Sequence, residues 1–421
     1  MKFDRFFGDE KIPPTAKQEG DTRRRPEIVG LPEGRWLDDG VYLVENAYRL
    51  DEKYGHTSLG SPDGMEVMRR FGATGRTVFL DLETTGLAGG TGTYAFLCGL
   101  GFVSGENFRV VQLFLTGPAK ERNWLTAIDS FIPGDACIAT YNGRAFDLPL
   151  LRTRHVLART VPAWEHMPHI DLLLHARRLY RGILDSCSLG TVERKVLGVR
   201  RSGEDIPGYL IPALYVQYLR TRDASPLKGV FYHNELDIVS LAAFYCRVAR
   251  ILEGDCANGH EYLRAGDIWR SMGETEVSER FWHAACGRED SRVEALVRRA
   301  FLAKKNMDFA AARDDFSAAL EDLHAGMSGS GESVSVYTLL EELAKLEEHR
   351  FRSPERASGH VDAALAWLKD NRFLLGGRFG QLHRDMMHRR ARLDKKIDKK
   401  LDAEKKPGTE VPCGIDENKN L

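Results

Sequence analysis

Two acids stand two residues apart inside an otherwise apolar run, FLDLETTG at residues 79–86. The run reads as a strand, and residues two apart on a strand share a face. Asp81 and Glu83 therefore point the same way, with Leu80 and Leu82 opposite. Two like charges about 6 Å apart repel by about 3 kcal/mol at an effective dielectric of 20. A bridging divalent cation answers that repulsion; a solvent-facing strand end with two harmless acids is the other answer. The surroundings of the run narrow the fold. After a Gly-rich turn, YAFLCGLGFV and FRVVQLFL read as two more strands. ERNWLTAIDSFI follows as a helix, ACIATYN as a short strand, and LPLLRTRHVLAR and DLLLHARRLY as helices. NELDIVSLAAFYCRVARIL closes the segment as a long helix with Asn234 as candidate N-cap. Three adjacent strands followed by mixed elements predict an α/β layer fold with a mixed sheet over residues 74–250.

Two further acids lie where elements begin. In TYNGRAFDLPLL a strand ends at Tyr141-Asn142, the chain turns at Gly143, and Asp147 precedes a helix. An N-cap role would suffice for Asp147; metal ligation is the alternative. Asn142 is placed to hold the loop or to reach a phosphate. In FYHNELDIVSL, His233 and Asp237 are four apart and share a face if the helix has begun by His233. If Asn234 is the cap, His233 lies just outside, and Asp237 is an ordinary first-turn acid favoured by the helix dipole. Taken together, four acids in this order suit two Mg²⁺ or Mn²⁺ ions, hard cations that prefer oxygen. Such a pair activates water and stabilises the leaving oxygen of a phosphodiester, with a histidine to take the proton.

The order of motifs resembles the DEDD superfamily of 3′–5′ exonucleases, which have a ribonuclease H-like fold. LETTGLAGGTGTYAFLCGLG, YNGRAFDLPLL, HIDLLLHAR, CSLGTVERKVLGVRR, DIPG and YHNELDIVSLAAF resemble the YprB-type ribonuclease H-like family within it. The resemblance implies that Asp81, Glu83, Asp147 and Asp237 bind two divalent ions, Mg²⁺ or Mn²⁺. It also implies a general base shortly before the last acid. In the superfamily that base is a histidine five residues before it, or a tyrosine four before. Here His233 stands at four and Tyr232 at five, so His233 is the expected base and Tyr232 the fallback. The implied reaction is metal-dependent 3′–5′ hydrolysis of single-stranded or frayed nucleic acid. A non-catalytic nucleic-acid or protein scaffold, or a structure-specific endonuclease, stands as the alternative. Asp171 is a lesser ligand candidate that an N-cap role would explain. The segment Gly86–Gly92 lacks the Lys-Ser/Thr pair of a phosphate-binding loop and reads as a hairpin turn.

Lys plus Arg is 60 against 61 Asp plus Glu, which excludes a globally basic binder but not a local basic face. Between Arg152 and Lys228 there are thirteen Lys/Arg against seven Asp/Glu. Arg177, Arg178, Arg194, Lys195, Arg200 and Arg201 are the expected nucleic-acid contacts, with scattered solvated arginines as the plainer account. Beyond about residue 255 strand signals stop. Ser278, Trp282 and Ala285 share their spacing with Ala312, Phe316 and Ala319 and with Ala357, Val361 and Ala364. This resembles the second helices of tetratricopeptide repeats, and residues 255–375 are expected to be an all-α helical-repeat, TPR-like domain offering a dock for a protein partner. Residues 1–34, with the basic run Arg23–Arg25, are expected to form a mobile arm, and 35–73 a small strand-bearing lead-in. Residues 383–421 are expected to be a charged, disordered tail. Seven cysteines without CxxC spacing suit a reducing, cytoplasmic setting, and no apolar run is long enough to span a membrane.

Overall fold

The computed structural model describes residues 28–60, 62–86, 92–201, 205–327 and 335–404. The arm with Arg23–Arg25, residues 87–91 of the Gly-rich segment and the chain beyond 404 lie outside the described residues. The chain divides into two compact units, Met1–Cys256 and Ala257–Leu421.

The first unit runs β1 (Arg35–Asp38), β2 (Val41–Arg49), β3 (Lys53–Tyr54), β4 (Thr57–Ser58), α1 (Glu66–Arg69), β5 (Thr77–Thr84), β6 (Ala95–Ser104) and β7 (Asn107–Leu115). It continues through α2 (Glu121–Ser130), β8 (Cys137–Thr140), α3 (Asp147–Ala158), β9 (His169–Asp171), α4 (Leu172–Tyr180), α5 (Leu189–Val192), α6 (Ile211–Thr221) and α7 (Lys228–Glu253). Seven strands form one mixed sheet in the order β1-β2-β7-β6-β5-β8-β9. Pairing is antiparallel from β1 to β5, and parallel for β5–β8 and β8–β9. The β6–β7 hairpin closes with Gly105 at φ 59, the positive value that a tight strand turn requires. The 35–73 segment, expected as a lead-in, adds two strands to this sheet. Its Val41–Arg49 strand pairs with β7 along its whole length.

β5 lies inside the sheet between β6 and β8 and is largely buried on both faces, because helices cover the sheet on each side. On one side Trp124 of α2 donates to Leu113 O at 2.8 Å, and the Tyr215 and Tyr218 hydroxyls of α6 donate to Leu115 O and Thr116 O. On the other side α7 crosses β5, β6 and β7, with Tyr245 edge-on to Phe79 at 5.5 Å. The start of α7 differs from the sequence expectation. The helix begins at Lys228, after a 3₁₀ turn at Ser225–Leu227 that carries Pro226. The Asp223 carboxylate accepts from Ser225 N at 2.9 Å and fixes that turn. Asn234 is therefore interior and fully buried rather than a cap.

In the second unit, α8 (Gly259–Ser271) pairs with α9 (Thr275–Cys286), α10 (Arg292–Lys305) with α11 (Phe309–His324), and α12 (Val336–His349) with α13 (Pro354–Asp370). All nine residues of the spaced triplets on α9, α11 and α13 are buried. Small residues permit this packing: a Cβ added to Gly266 of α8 would lie 2.5 Å from the Trp282 ring. A short α14 (Arg372–Leu375) leads to α15 (Phe379–Glu404). Part of the stretch expected as a disordered tail, His383–Lys400, is thus helical. The physical reason is burial of Met386 and Leu393, together with ion pairs from Arg389, Arg392 and Lys396 to Glu348 of α12. Among the described residues no helix is long and apolar enough to cross a membrane.

Candidate functional site

The carboxylates of the first unit come from three elements. β5 supplies Asp81 and Glu83, the first residue of α3 supplies Asp147, and α7 supplies Asp237. Close approach of α7 to the sheet depends on glycine. Gly99 of β6 pairs with Asp81, and a Cβ there would sit 2.4 Å from Asn234 Oδ1. At Gly101 it would sit 2.4 Å from Ile238 Cγ2. In the space so left, Asn234 Nδ2 donates to Asp81 Oδ2 at 3.0 Å. Gln112 of β7 donates to Asn234 Oδ1 at 3.0 Å and to Phe231 O at 2.8 Å, which sets the orientation of the amide.

Because α7 has begun by Lys228, His233 and Asp237 share a face, and His233 Nε2 lies 3.5 Å from Asp237 Oδ2. At about 100° per residue, Tyr232 sits about 140° round the helix from Asp237 and His233 about 40°. Geometry thus separates the two base candidates. One donor atom each from Glu83, His233 and Asp237 lies within 4.8 Å of the others. Burial pushes the Asp81 and Glu83 carboxyls well above their usual range, and the charges of Asp237 and Asp147 push them further. Burial also pushes Asp147 up to about 7, against hydrogen bonds from its own N–H and that of Leu82. An oxygen-rich set of mutually repelling acids, Glu83 buried and the other three half-buried, fits hard divalent cations. Asp81, Glu83, Asp147 and Asp237 are the residues that would hold them, with His233 beside them.

Asp147 is not an N-cap, since it stands at the first helical residue and Phe146 precedes it without a side-chain cap. Asp171 is one: it caps α4 by accepting from Leu173 N at 3.1 Å. It also accepts from Asn142 N at 2.8 Å and Arg144 N at 3.2 Å, so it ties down the turn that leads to Asp147. Asn142 occupies the left-handed region there, with φ 65, and is half-buried.

Beside the acids lies a cleft of about 790 Å³, lined in part by Arg194, Lys195, Arg200, Arg201, His233 and Asp237. Arg194, Lys195 and Arg200 are exposed. Arg177 and Arg178 are exposed on α4 and are not among the cleft's lining residues. Arg201 differs from the rest because it turns inward. Its guanidinium pairs with Glu193 at 2.5 Å, with Asp237, and with Asp205 at 3.5 Å. Asp205 also reaches His233 Nδ1 at 2.7 Å. Sequence reasoning assigned no role to Glu193, Asp205, Asn234 or Gln112 at the site. The available signal was a pair of acids flanking the basic run, Glu193 at the start of ERKVLGVRR and Asp205 four residues after Arg201, placed to neutralise an arginine that folds inward.

Two comparisons bear on this geometry. The family model of the RNase H superfamily matches residues 78–249. The chain is also 35% identical over 365 residues to "Uncharacterized protein YprB" of Bacillus subtilis (strain 168), covering 81% of this chain and 84% of that protein. The chain belongs to the YprB family. Its RNase H-superfamily domain takes in β5, α7 up to residue 249, and all four acids. The domain points to nuclease action on nucleic acid, and in this YprB-family chain the acidic cluster suits the divalent metals that such nucleases use.

Proposed function

We propose that this YprB-family chain is a DEDD-type, metal-dependent 3′–5′ exonuclease that trims single-stranded or frayed nucleic acid ends. The observation that carries the reading is the cluster of Glu83, His233 and Asp237, whose donor atoms lie within 4.8 Å of one another, with Asp81 on the same strand as Glu83 and Asp147 of α3 near enough for its charge to raise both β5 acids. Two Mg²⁺ or Mn²⁺ ions held by these acids would supply Lewis acidity at the phosphate and lower the pKa of the attacking water. The other roles fall to the chain's own residues. His233 takes the water proton, with Tyr232 as the fallback base. Arg194, Lys195 and Arg200 draw the phosphate backbone into the cleft, while Arg177 and Arg178 extend the basic surface along α4. Asn142, held at the turn by Asp171, reaches a substrate phosphate. Release of nucleoside 5′-monophosphates follows. In the second unit, the buried triplets of α9, α11 and α13 support a tetratricopeptide-like stack that docks a protein partner.

The test is a time course on 5′-labelled single-stranded DNA and RNA with Mn²⁺, Mg²⁺ or EDTA. A metal-dependent ladder shortening from the 3′ end is expected. Internal cuts would point to an endonuclease. Binding without cleavage under every condition would point to a scaffold, and either result would overturn the exonuclease reading.

A further inference from the structure

Arg201 makes two kinds of contact. Towards the interior it meets Glu193 fork to fork, Nε to Oε2 at 3.0 Å and Nη2 to Oε1 at 2.5 Å. Glu193 is itself fixed from behind: its side chain is 3% exposed, and it accepts from the Ser240 hydroxyl at 2.5 Å. Ser240 in turn meets the Tyr54 hydroxyl at 2.7 Å. Towards the cleft the same guanidinium reaches Asp237, Asp205 and, through Nη1, His233 Nδ1 at 3.2 Å. A structural ion pair is complete with Glu193 alone. Here the remaining donors are delivered among the residues expected to do the chemistry.

We propose that Arg201 is a catalytic residue, its guanidinium held by Glu193 so as to touch the phosphate under attack. The inference rests on the nuclease reading above. In that reaction the water oxygen bonds to phosphorus as the P–O3′ bond breaks. The water proton passes to His233, and the 3′ oxygen takes a proton from solvent. Negative charge builds on the non-bridging oxygens during this exchange. A guanidinium held by the Glu193 fork meets that charge by exchanging an Asp205 or Asp237 contact for a phosphate oxygen, its orientation already set, which is where a preoriented donor acts most strongly. The fork geometry is specific to arginine, since a lysine ammonium cannot hold Glu193 with two parallel bonds and still present donors to the cleft. Arg194, Lys195 and Arg200 are exposed and suit general attraction of the backbone; Arg201, 12% exposed in its side chain, is placed for one phosphate.

The experiment compares the full chain with Arg201→Ala, Arg201→Lys and Glu193→Gln in Mn²⁺, on whichever nucleic acid the parent cleaves. It reads kcat, KM, Mn²⁺ affinity by calorimetry, and recovery by guanidinium chloride at sub-denaturing concentration against equal sodium chloride. Arg201→Ala is expected to lower kcat by about 10²–10³-fold, the loss typical of one transition-state donor, with little change in KM. Its Mn²⁺ affinity is expected to hold or rise, because a positive charge leaves the acids. Guanidinium is expected to restore part of kcat where sodium does not. Arg201→Lys keeps the charge and spares Glu193 an unpaired burial, so it serves if the alanine variant does not fold; it is expected to lose at least about tenfold. Glu193→Gln is expected to lower kcat as well, since the carboxylate that aims Arg201 is gone. Arg201→Ala or Arg201→Lys at the parental rate or faster, above all with tighter Mn²⁺ binding, would make Arg201 a plug and overturn the inference alone. A parent that cleaves nothing would overturn the nuclease reading, and this inference with it.

Discussion

Replacing Gly99 by alanine should damage the candidate site from behind, without touching any expected ligand. The new Cβ would lie 2.4 Å from Asn234 Oδ1, 2.9 Å from Asn234 Nδ2 and 2.8 Å from Ile238 Cγ1, where ordinary contact begins at 3.4 Å. Asn234 cannot step aside without giving up Gln112 and Asp81. The strain therefore falls on α7, which must recede from the sheet by about 1 Å, carrying His233 and Asp237 away from Asp81 and Glu83. Overpacking of this size destabilises by about 1–3 kcal/mol. At about 2–4 °C per kcal/mol for a domain of this length, the melting temperature should fall by several degrees. A misplacement of about 1 Å at a reaction centre lowers the rate by about 10²-fold. The assay pairs a thermal melt with kcat on a labelled oligonucleotide. Gly134→Ala serves as control, since a Cβ there meets nothing within 4 Å among the described residues. A Gly99→Ala protein with parental melting and rate would refute the claim that glycine sets the distance between α7 and β5.

Four further outcomes are expected. Asp81→Ala and Asp237→Ala should each abolish hydrolysis while circular dichroism and oligonucleotide binding stay close to the parent's. Asp171→Ala removes a cap and the acceptor of two loop N–H groups, so denaturant melts should show a loss of about 2–3 kcal/mol together with reduced activity. Asp147 binds its proton more tightly folded than unfolded, so metal-free stability should decline as pH rises from about 4 towards 7; Mn²⁺ affinity, which needs the ionised acid, should climb over the upper part of that range in calorimetric titrations. Burial raises the Glu348 carboxyl, but Arg392 and Lys396 outweigh it and hold it at about 2. Its contribution, about 1–2 kcal/mol after screening at the half-exposed partners, is present above pH 4.5 and lost as pH falls towards 2; Glu348→Gln should remove it at neutral pH, read by loss of α15 helicity.

The strands and helices around the acids were legible because their signals are local. FLDLETTG, YAFLCGLGFV and FRVVQLFL are the adjacent strands β5, β6 and β7, and the helical spacing of ERNWLTAIDSFI is α2. The triplets on α9, α11 and α13 were legible for the same reason, since burial on one face imposes a period. What failed was the information held by partners distant in sequence. Asn234 looks like a cap because asparagine before an apolar periodic run usually is one. Gln112 and Asp81, each more than a hundred residues away, hold it as a buried amide inside α7. β9 is three residues long and α6 begins with Ile-Pro, so neither offers a clear pattern. Of the six expected nucleic-acid cations, Arg201 behaves differently because Glu193 and Asp237 draw it inward, and charge counting along a chain does not register direction. The α15 stretch misled because its charges outnumber its two buried anchors, Met386 and Leu393.

Every step proposed for this chain depends on Asp81, Glu83, Asp147 and Asp237 together holding catalytic divalent ions. Anomalous diffraction from crystals soaked in Mn²⁺ tests it most directly. Manganese peaks are expected among these four carboxylates and absent from an Asp81→Ala crystal soaked alongside. An acidic cluster without a peak, or a peak undisturbed by Asp81→Ala, would contradict it.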